Sequence, residues 1–501
     1  MHEFTIGDVV REHRRSRGHV TALVDGDRRL TYAELDQRTN RLAHALLDAG
    51  AGPGERVLWL GVNSFRIIEL LVACAKVGAM LCPANWRQSS DELRFVLDDL
   101  RPAVVVWEAG PLDAALEPLR DATTGKWVCH NADDGYEDWL SSHPDSDPGC
   151  EVSEESPVLV LYTAAFDGRP HGAMLAQRAL IAHSMMLGVV RQIEEGFVCL
   201  DSGPLFHVGT MMFALATLTF GGTNVVLPTF EPELACRLIE RERCQAAMLF
   251  PAMIAQLVEA NADGRFDLSS LRFAAGDEPW NSMITIDESP WGRSFAGYGQ
   301  TEVAGMLTYH ALGLEGTGTS GRPSLFAQVR IVDPVDGELP DGEVGEIVAR
   351  GPHVFSGYFN RPELTAAKLR GGWHHTGDLG RREKDGTISF LGPKLRMIKS
   401  GGENIYPAEV ERALNSHPGV SAAAVIGRPD PEWGQNVVAI VVPAECAEIT
   451  EAELIEHVRT VVASYKKPKE VILAEEIPRR GFVPDYDELD DRYDGGGYPG
   501  A

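Results

Sequence analysis

The run IIELLVACAKVGAMLCPA, Ile67 to Ala84, decides what kind of molecule this chain makes. It is the longest apolar stretch and long enough to raise the question of a membrane span. Glu69 and Lys76 break it, and ionised side chains at bilayer depth are costly. It therefore reads as a buried helix over 65–77 running into the strand AMLCPAN. On its N-terminal side, RVLWLGV reads as a buried strand. Before that, TYAELDQRTNRLAHALLDAG carries apolar residues at helical spacing and ends on a glycine. On its C-terminal side follow a helix, SSDELRFVLDDL, and a strand, AVVVWE. Helix and strand alternate throughout, which predicts an α/β fold with parallel-rich sheets.

Further along, VRIVD, GEIVARG and ISFLG turn the pattern into short strands, a β-rich subdomain over 320–391. A boundary falls near GPKLRM. Beyond it, YPAEVERALNSHPGV, AAAVIGRPD and NVVAIVVPA predict a small α+β domain. The division expected is a large N-terminal domain (1–392), a hinge (393–396), a small, mobile C-terminal domain (397–487) and an acidic, Gly-rich tail (488–501) whose end is disordered.

With 501 residues the chain exceeds one small core. Apolar residues make up 44% and charged residues 24%, ordinary for a globular protein. The net charge of −27 disfavours nucleic acid and anionic membranes, since no basic patch offsets it. Eight scattered cysteines form no CxxC pair and no Cys/His cluster of zinc spacing, so they read as reduced thiols. The N-terminus MHEFTIGDVVREHRR lacks the apolar core of a signal peptide. The expected setting is cytoplasmic.

Three blocks stand in order: GYGQTE, WHHTGDLG and KSGGENIYPAEVE. With LTYAELDQRTNRLAHAL near one end and YKKPKEVILAEEIPR near the other, the chain resembles the acyl-adenylate-forming superfamily over nearly its whole length. The nearest flavour is that of bacterial fatty-acid and medium-chain acyl-CoA ligases. The resemblance implies two half-reactions with ATP, Mg²⁺ and CoA. A carboxylate attacks the α-phosphate of ATP to give an acyl-adenylate. The small domain then rotates, and the CoA thiol displaces AMP. It allows either a monomer or a homodimer.

The same resemblance assigns roles. Tyr298 stacks on adenine, Thr301 touches the α-phosphate, and Glu302, with Thr163, holds Mg²⁺. An aromatic face suits a base and a hard carboxylate oxygen suits a hard cation. Asp378 accepts the ribose hydroxyls as a bidentate acceptor. Gly168, His171, Gly172 and Gly276 complete the nucleotide site. His207 in PLFHVGTM lies near the reacting carboxylate and, with Met211, Met212, Phe213, Ala275 and Gly297, lines an apolar pocket for a fatty or aryl acid. Each of those methionines reads almost equally well as core. Ser400, Gly401, Gly402 and Glu403 line a thiol tunnel, and Arg396 is the hinge residue.

The chain also departs from the pattern. The family's phosphate loop runs Tyr-Thr-Ser-Gly-Thr-Thr-Gly-x-Pro-Lys-Gly. Here Tyr162 to Gly172 reads YTAAFDGRPHG, so hydroxyls are lost, Asp167 enters and His171 stands for the lysine. The C-terminal catalytic lysine is absent, because no lysine follows Lys469. Pro393 stands where the family has a ribose-contacting arginine. Arginine offers a fixed fork suited to phosphate, so Arg169, His171, Arg479 and Arg480 are the candidates to supply the missing charge. Three readings stay open: a divergent acid–CoA ligase, a non-adenylating binder of nucleotide, acyl-AMP or acyl-CoA that acts as a sensor or partner, and an enzyme of preformed acyl-AMP with CoA or an amine as acceptor.

Overall fold

The computed structural model describes residues 3–499 except 111, 123, 134, 164–168, 395, 446, 448 and 481–482. Ile67–Ala84 folds as its pattern predicts. A helix covers Phe65–Val77, Gly78 caps it with φ +75°, and a strand covers Met80–Pro83. Both charges that rule out a membrane span are buried and paired. Lys76 Nζ donates to Asp36 Oδ1 at 2.7 Å, Asn40 Oδ1 at 2.7 Å and Thr39 Oγ1 at 2.8 Å. Burial pushes the Lys76 ammonium down to about 8 against the pull of Asp36. Glu69 accepts from Arg38 and from the Tyr136 hydroxyl. Among the described residues no helix is long and apolar enough to cross a membrane.

That helix packs beside Tyr32–Asp48, whose N-cap Thr31 closes a capping box with Glu34. Beneath them lies a seven-stranded sheet. Its strands Pro157–Tyr162, Met80–Pro83, Arg56–Leu60, Val104–Trp107 and Lys126–Cys129 run parallel, and Gly172–Ala176 and Gly357–Tyr358 add antiparallel at one edge. A second, five-stranded sheet holds Val198–Asp201 between Ala246–Ala247 and Thr223–Val226, all parallel. The expected β-rich region forms a four-stranded antiparallel sheet of Gln328–Val332, Gly345–Arg350, His374–Arg382 and Ile388–Pro393.

After Ile398 the chain builds a smaller layered unit. Its sheet contains Ile398–Ser400, Glu403–Ile405, Val420–Asp430, Gly434–Pro443 and Glu470–Leu473. Helices Pro407–Asn415 and Glu451–Val461 pack on one face. The terminal region differs from expectation. A helix spans Tyr486–Tyr493, across the expected border at 487/488, and buries Leu489 on the other face of this sheet. The Gly-rich end is also fastened, not loose. Gly427 N–H donates to the Tyr498 hydroxyl at 2.9 Å, and Gln435 Nε2 donates to Gly496 O at 2.6 Å. The apolar period Tyr486, Leu489, Tyr493 supplies a docking stripe that the acidic composition masks.

Candidate active site

GYGQTE forms the strand Gly297–Gln300 followed by the single turn Thr301–Val303. WHHTGDLG forms the strand His374–Arg382 of the neighbouring sheet. Where the two meet, Asp378 Oδ2 accepts from the Tyr298 hydroxyl at 2.6 Å and from Gln300 Nε2 at 2.7 Å. Gln300 is fixed in turn. Its Nε2 also donates to Thr376 O at 3.1 Å, and its Oε1 pairs with His374 Nε2 at 2.9 Å. Burial pushes the His374 imidazole down to about 3, so the neutral ring donates through Nε2–H. Burial raises the Asp378 carboxyl, while Tyr298 and Gln300 hold it back toward the charged form. The result is an oriented carboxylate with one oxygen already bonded. The Tyr298 ring is buried and stacks on Phe390, centroids 5.1 Å apart.

Glu302 is buried, and its Oε1 accepts from the Tyr358 hydroxyl at 2.6 Å. Tyr358 donates to one of the two oxygens only. Among the described residues no group of three or more His, Cys, Asp or Glu gathers around one point. This donor set fits Mg²⁺, which keeps its waters and is held by one or two carboxylates together with substrate phosphates. Thr163 lies at the end of strand Pro157–Tyr162, and its N–H and Oγ1 meet His171 O at 2.9 and 3.3 Å. His171 is buried with its ring against Tyr358, centroids 5.6 Å apart. Gly172 pairs with Tyr162, and a Cβ there would meet Val160 Cγ1 at 2.8 Å. The neck of the phosphate loop is thus closed beside Glu302. Gly168, with Ala164 to Asp167, lies outside the described residues.

His207 caps the helix Val208–Thr219 and stands half-exposed at the mouth of the cleft. Met212 and Phe213 on that helix join the cluster that contains Tyr309, Met306 and Trp291. Met211 does not: it faces the large core, as the bland reading of that position has it. Ala275 and Gly276 lie on an exposed loop, where Gly276 exchanges two bonds with Asn281 at 2.8 and 3.0 Å. Gly297 lies against Thr308 O, with room for no side chain.

SGGEN forms a tight hairpin. Ser400 pairs with Glu403, and the two central residues, Gly401 and Gly402, have φ +57° and +85°. Two left-handed residues in a two-residue loop are what glycine permits. A Cβ on Gly402 would meet nothing within 4 Å. This hairpin is docked on the large domain. Glu403 accepts from Arg87 at 2.5 Å and approaches His207 Nε2 at 3.4 Å. Burial works against the Glu403 carboxylate, but His207 and Arg87 hold it down at about 2. The Ser400–Glu403 hairpin and His207 therefore meet where the two domains join.

Arg479 is exposed on a short pairing of Arg479–Arg480 with Val483–Pro484, beside the terminal helix. Arg169 stands over the Phe95 ring at 5.7 Å. Arg396 is bound to Asp487 at 2.8 Å and to Asp490, and its guanidinium covers Tyr498. Pro393 ends the strand opposite Asp378 in register.

Gln300, His374, Tyr358 and Arg87 are working members of this site that motif reading did not single out. The first two sit inside the quoted blocks. Tyr358 and Arg87 carry no local signal.

The family model described as AMP-binding enzyme matches residues 10–359, and that for the AMP-binding enzyme C-terminal domain matches residues 409–481. A feruloyl-CoA synthase from an Amycolatopsis species is 39% identical over 473 residues, 93% of this chain and 94% of that one. An indoleacetate–CoA ligase from Aromatoleum aromaticum is 34% identical over 475 residues, 92% of each. The solved structure of the amide bond synthetase McbA from Marinactinospora thermotolerans matches with a TM-score of 0.82 at 28% identity, covering 98% of this chain and 100% of that one.

Proposed function

The chain belongs to the AMP-binding enzyme family, and on that premise we propose that it is an acid–CoA ligase whose preferred acids are aryl acids. It activates a carboxylic acid with ATP as an acyl-adenylate and passes the acyl group to CoA. The observation that carries this reading is the docking of the small domain's glycine hairpin against His207 of the large domain. Glu302 and the oriented Asp378 lie on the large domain, and the Gly401–Gly402 hairpin is docked beside His207.

Asp378 receives the ribose hydroxyls, and Tyr298 and Gln300 fix the direction in which its free oxygen points. Glu302 holds Mg²⁺, which would neutralise phosphate charge. His207 orients the acid. The docked hairpin gives the arrangement for thioester formation, with Gly402 leaving room for a thin thiol arm. Adenylation needs the other arrangement, reached by rotation about 393–396, in which Arg479 or Arg480 supplies the positive charge of the absent lysine. The aryl preference is supported by the contact of the Phe213 and Trp291 rings, 6.1 Å apart beside Met212, and by the acids for which the two ligases above are named. The seven described cysteines are all free thiols, which suits a cytoplasmic setting.

The test is AMP and pyrophosphate formation from Mg·ATP across fatty and aryl acids, each with and without CoA. Acid-dependent AMP formation that CoA accelerates is expected, strongest with aryl acids. Binding of ATP without any acid-dependent turnover would overturn the reading.

A further inference from the structure

The helix Gln177–Arg191 ends on an arginine that points inward. Its guanidinium lies 4.5 Å from the centre of the Phe213 ring, 5.3 Å from that of Phe197 and 5.7 Å from that of Trp291. Nε and Nη1 are shut away from solvent and meet no hydrogen-bond acceptor among the described residues. Nearby, Asp201 ends the strand Val198–Asp201 and is 1% exposed. Both of its carboxyl oxygens also lack a partner among the described residues. The two groups feel each other's charge, with Cys199 and Asp287 also acting on Arg191, yet they form no bond.

Buried polar groups are nearly always satisfied, so two opposite ones left open in the same wall need an explanation. Position supplies one. Phe213 is six residues along the helix from His207, about 9 Å at the rise of an α-helix, the reach of an aryl acid with a short side chain. Arg191 covers the face of that same Phe213, and on its other side a small pocket of about 80 Å³ opens, lined by Arg191, Trp291, Gln245, Asp287 and the exposed Glu194 and Glu195. Burial raises the Asp201 carboxyl against the pull of Arg191, and in either protonation state it offers an oxygen as acceptor.

We propose that Arg191 and Asp201 form a polar subsite at the far end of the acyl pocket, and that it takes a hydroxyl on the distal ring position of an aryl acid. The hydroxyl accepts from the guanidinium and donates to the Asp201 carboxyl, satisfying both orphaned groups at once. A methyl group of the same size satisfies neither and leaves two buried polar groups unpaired, which is how a site rejects an isostere. This inference rests on the acid-activation reading above.

The experiment compares kcat/KM for AMP formation with 4-hydroxycinnamate and 4-methylcinnamate. The unmodified enzyme is expected to prefer the hydroxylated acid by about 10–100-fold, as for a hydrogen bond to a charged group. In Arg191→Met and Asp201→Leu that ratio is expected to fall to within about threefold. A ratio near one in the unmodified enzyme overturns the proposal, whatever the variants do. So does an unchanged ratio in a folded Arg191→Met, the result expected if only water fills the gap. If neither acid yields AMP, the acid-activation reading fails by itself. Calorimetry of the two acids on the unmodified protein then decides the subsite: tighter binding of the hydroxylated acid supports it, and equal or absent binding overturns it.

Discussion

Asp378 shows how neighbouring donors fix the direction of one carboxylate. Alone on a strand it would rotate and hydrate. Here Tyr298 donates at 2.6 Å and Gln300 at 2.7 Å, and His374 locks the Gln300 amide from behind. Tyr298→Phe removes one of those donors without emptying space. A hydrogen bond to a charged group is worth about 1.5–3 kcal/mol, so KM for ATP is expected to rise by about ten-fold or more. Steady-state kinetics with ATP varied at saturating acid checks this, and an unchanged KM would mean that the bond does not orient Asp378. Asp378 and Tyr298 were legible because each sits in a compact block with a resemblance behind it. Gln300 and His374 were equally visible as letters. Their partnership was not, because it is made where strands 297–300 and 374–382 of two separate sheets meet, 74 residues apart. Met211 and Met212 make the same point in reverse. Adjacent and chemically alike, they face two different clusters, Met211 the large core and Met212 the group around Tyr309 and Leu187, and only the rotation of the helix tells them apart.

Elements were more readable than contacts, because they follow from local rules. The helix Phe65–Val77 and the strands on either side follow from apolar spacing, whereas the hairpin Ile398–Ile405 forms where the sequence pattern showed only a loop. The terminal helix was hidden because acidic composition outweighs three apolar residues at helical spacing. Two predictions belong here. Gly402→Leu puts a branched side chain into the open space of the hairpin and strains its left-handed turn (φ +85°), which shifts the hairpin as well. CoA-dependent release of the acyl group is expected to fall by at least about a hundredfold, as for loss of reacting geometry. Acid-dependent ATP–pyrophosphate exchange is expected to stay near the parent rate, and loss of both would assign the hairpin a role in adenylation. Arg479→Ala tests the opposite half-reaction. If Arg479 replaces the missing lysine, exchange is expected to drop by about 10²–10³, the cost of one donor to transition-state charge. Conversion of supplied acyl-AMP to acyl-CoA is expected to continue. Exchange at the parent rate would remove Arg479 and leave Arg480, Arg169 and His171 as candidates.

At the scale of the whole molecule, the small domain is held to the large one by a few specific bonds concentrated on one segment, 87–92. Arg87 bonds Glu403 and lies over the rings of both Phe206 and Tyr465. Ser89 Oγ donates to Val461 O at 2.8 Å. Lys466 is buried at the join and bonds Glu92 of the large domain at 2.7 Å and Glu409 of its own domain at 2.6 Å. The arrangement is asymmetric in a way that suits a domain that must leave. On the proposed cycle the small domain would rotate with Lys466 still bonded to Glu409 and carry a satisfied charge away, while Glu92 would keep the bond that it accepts from Ser89 N–H. Breaking a buried pair is strongly destabilising when it strands a charge, but here no charge is stranded on the moving side. Glu92→Gln therefore weakens the docked arrangement without unfolding either domain. The thioester step from supplied acyl-AMP and CoA is expected to slow by about 5–30-fold, as for a loss of 1–2 kcal/mol. Adenylation, which uses the undocked arrangement, is expected to hold or to quicken, because undocking becomes easier. Single-turnover measurement of the two half-reactions separates these effects. Equal slowing of both would show that Lys466–Glu92 supports the fold and not the choice between arrangements.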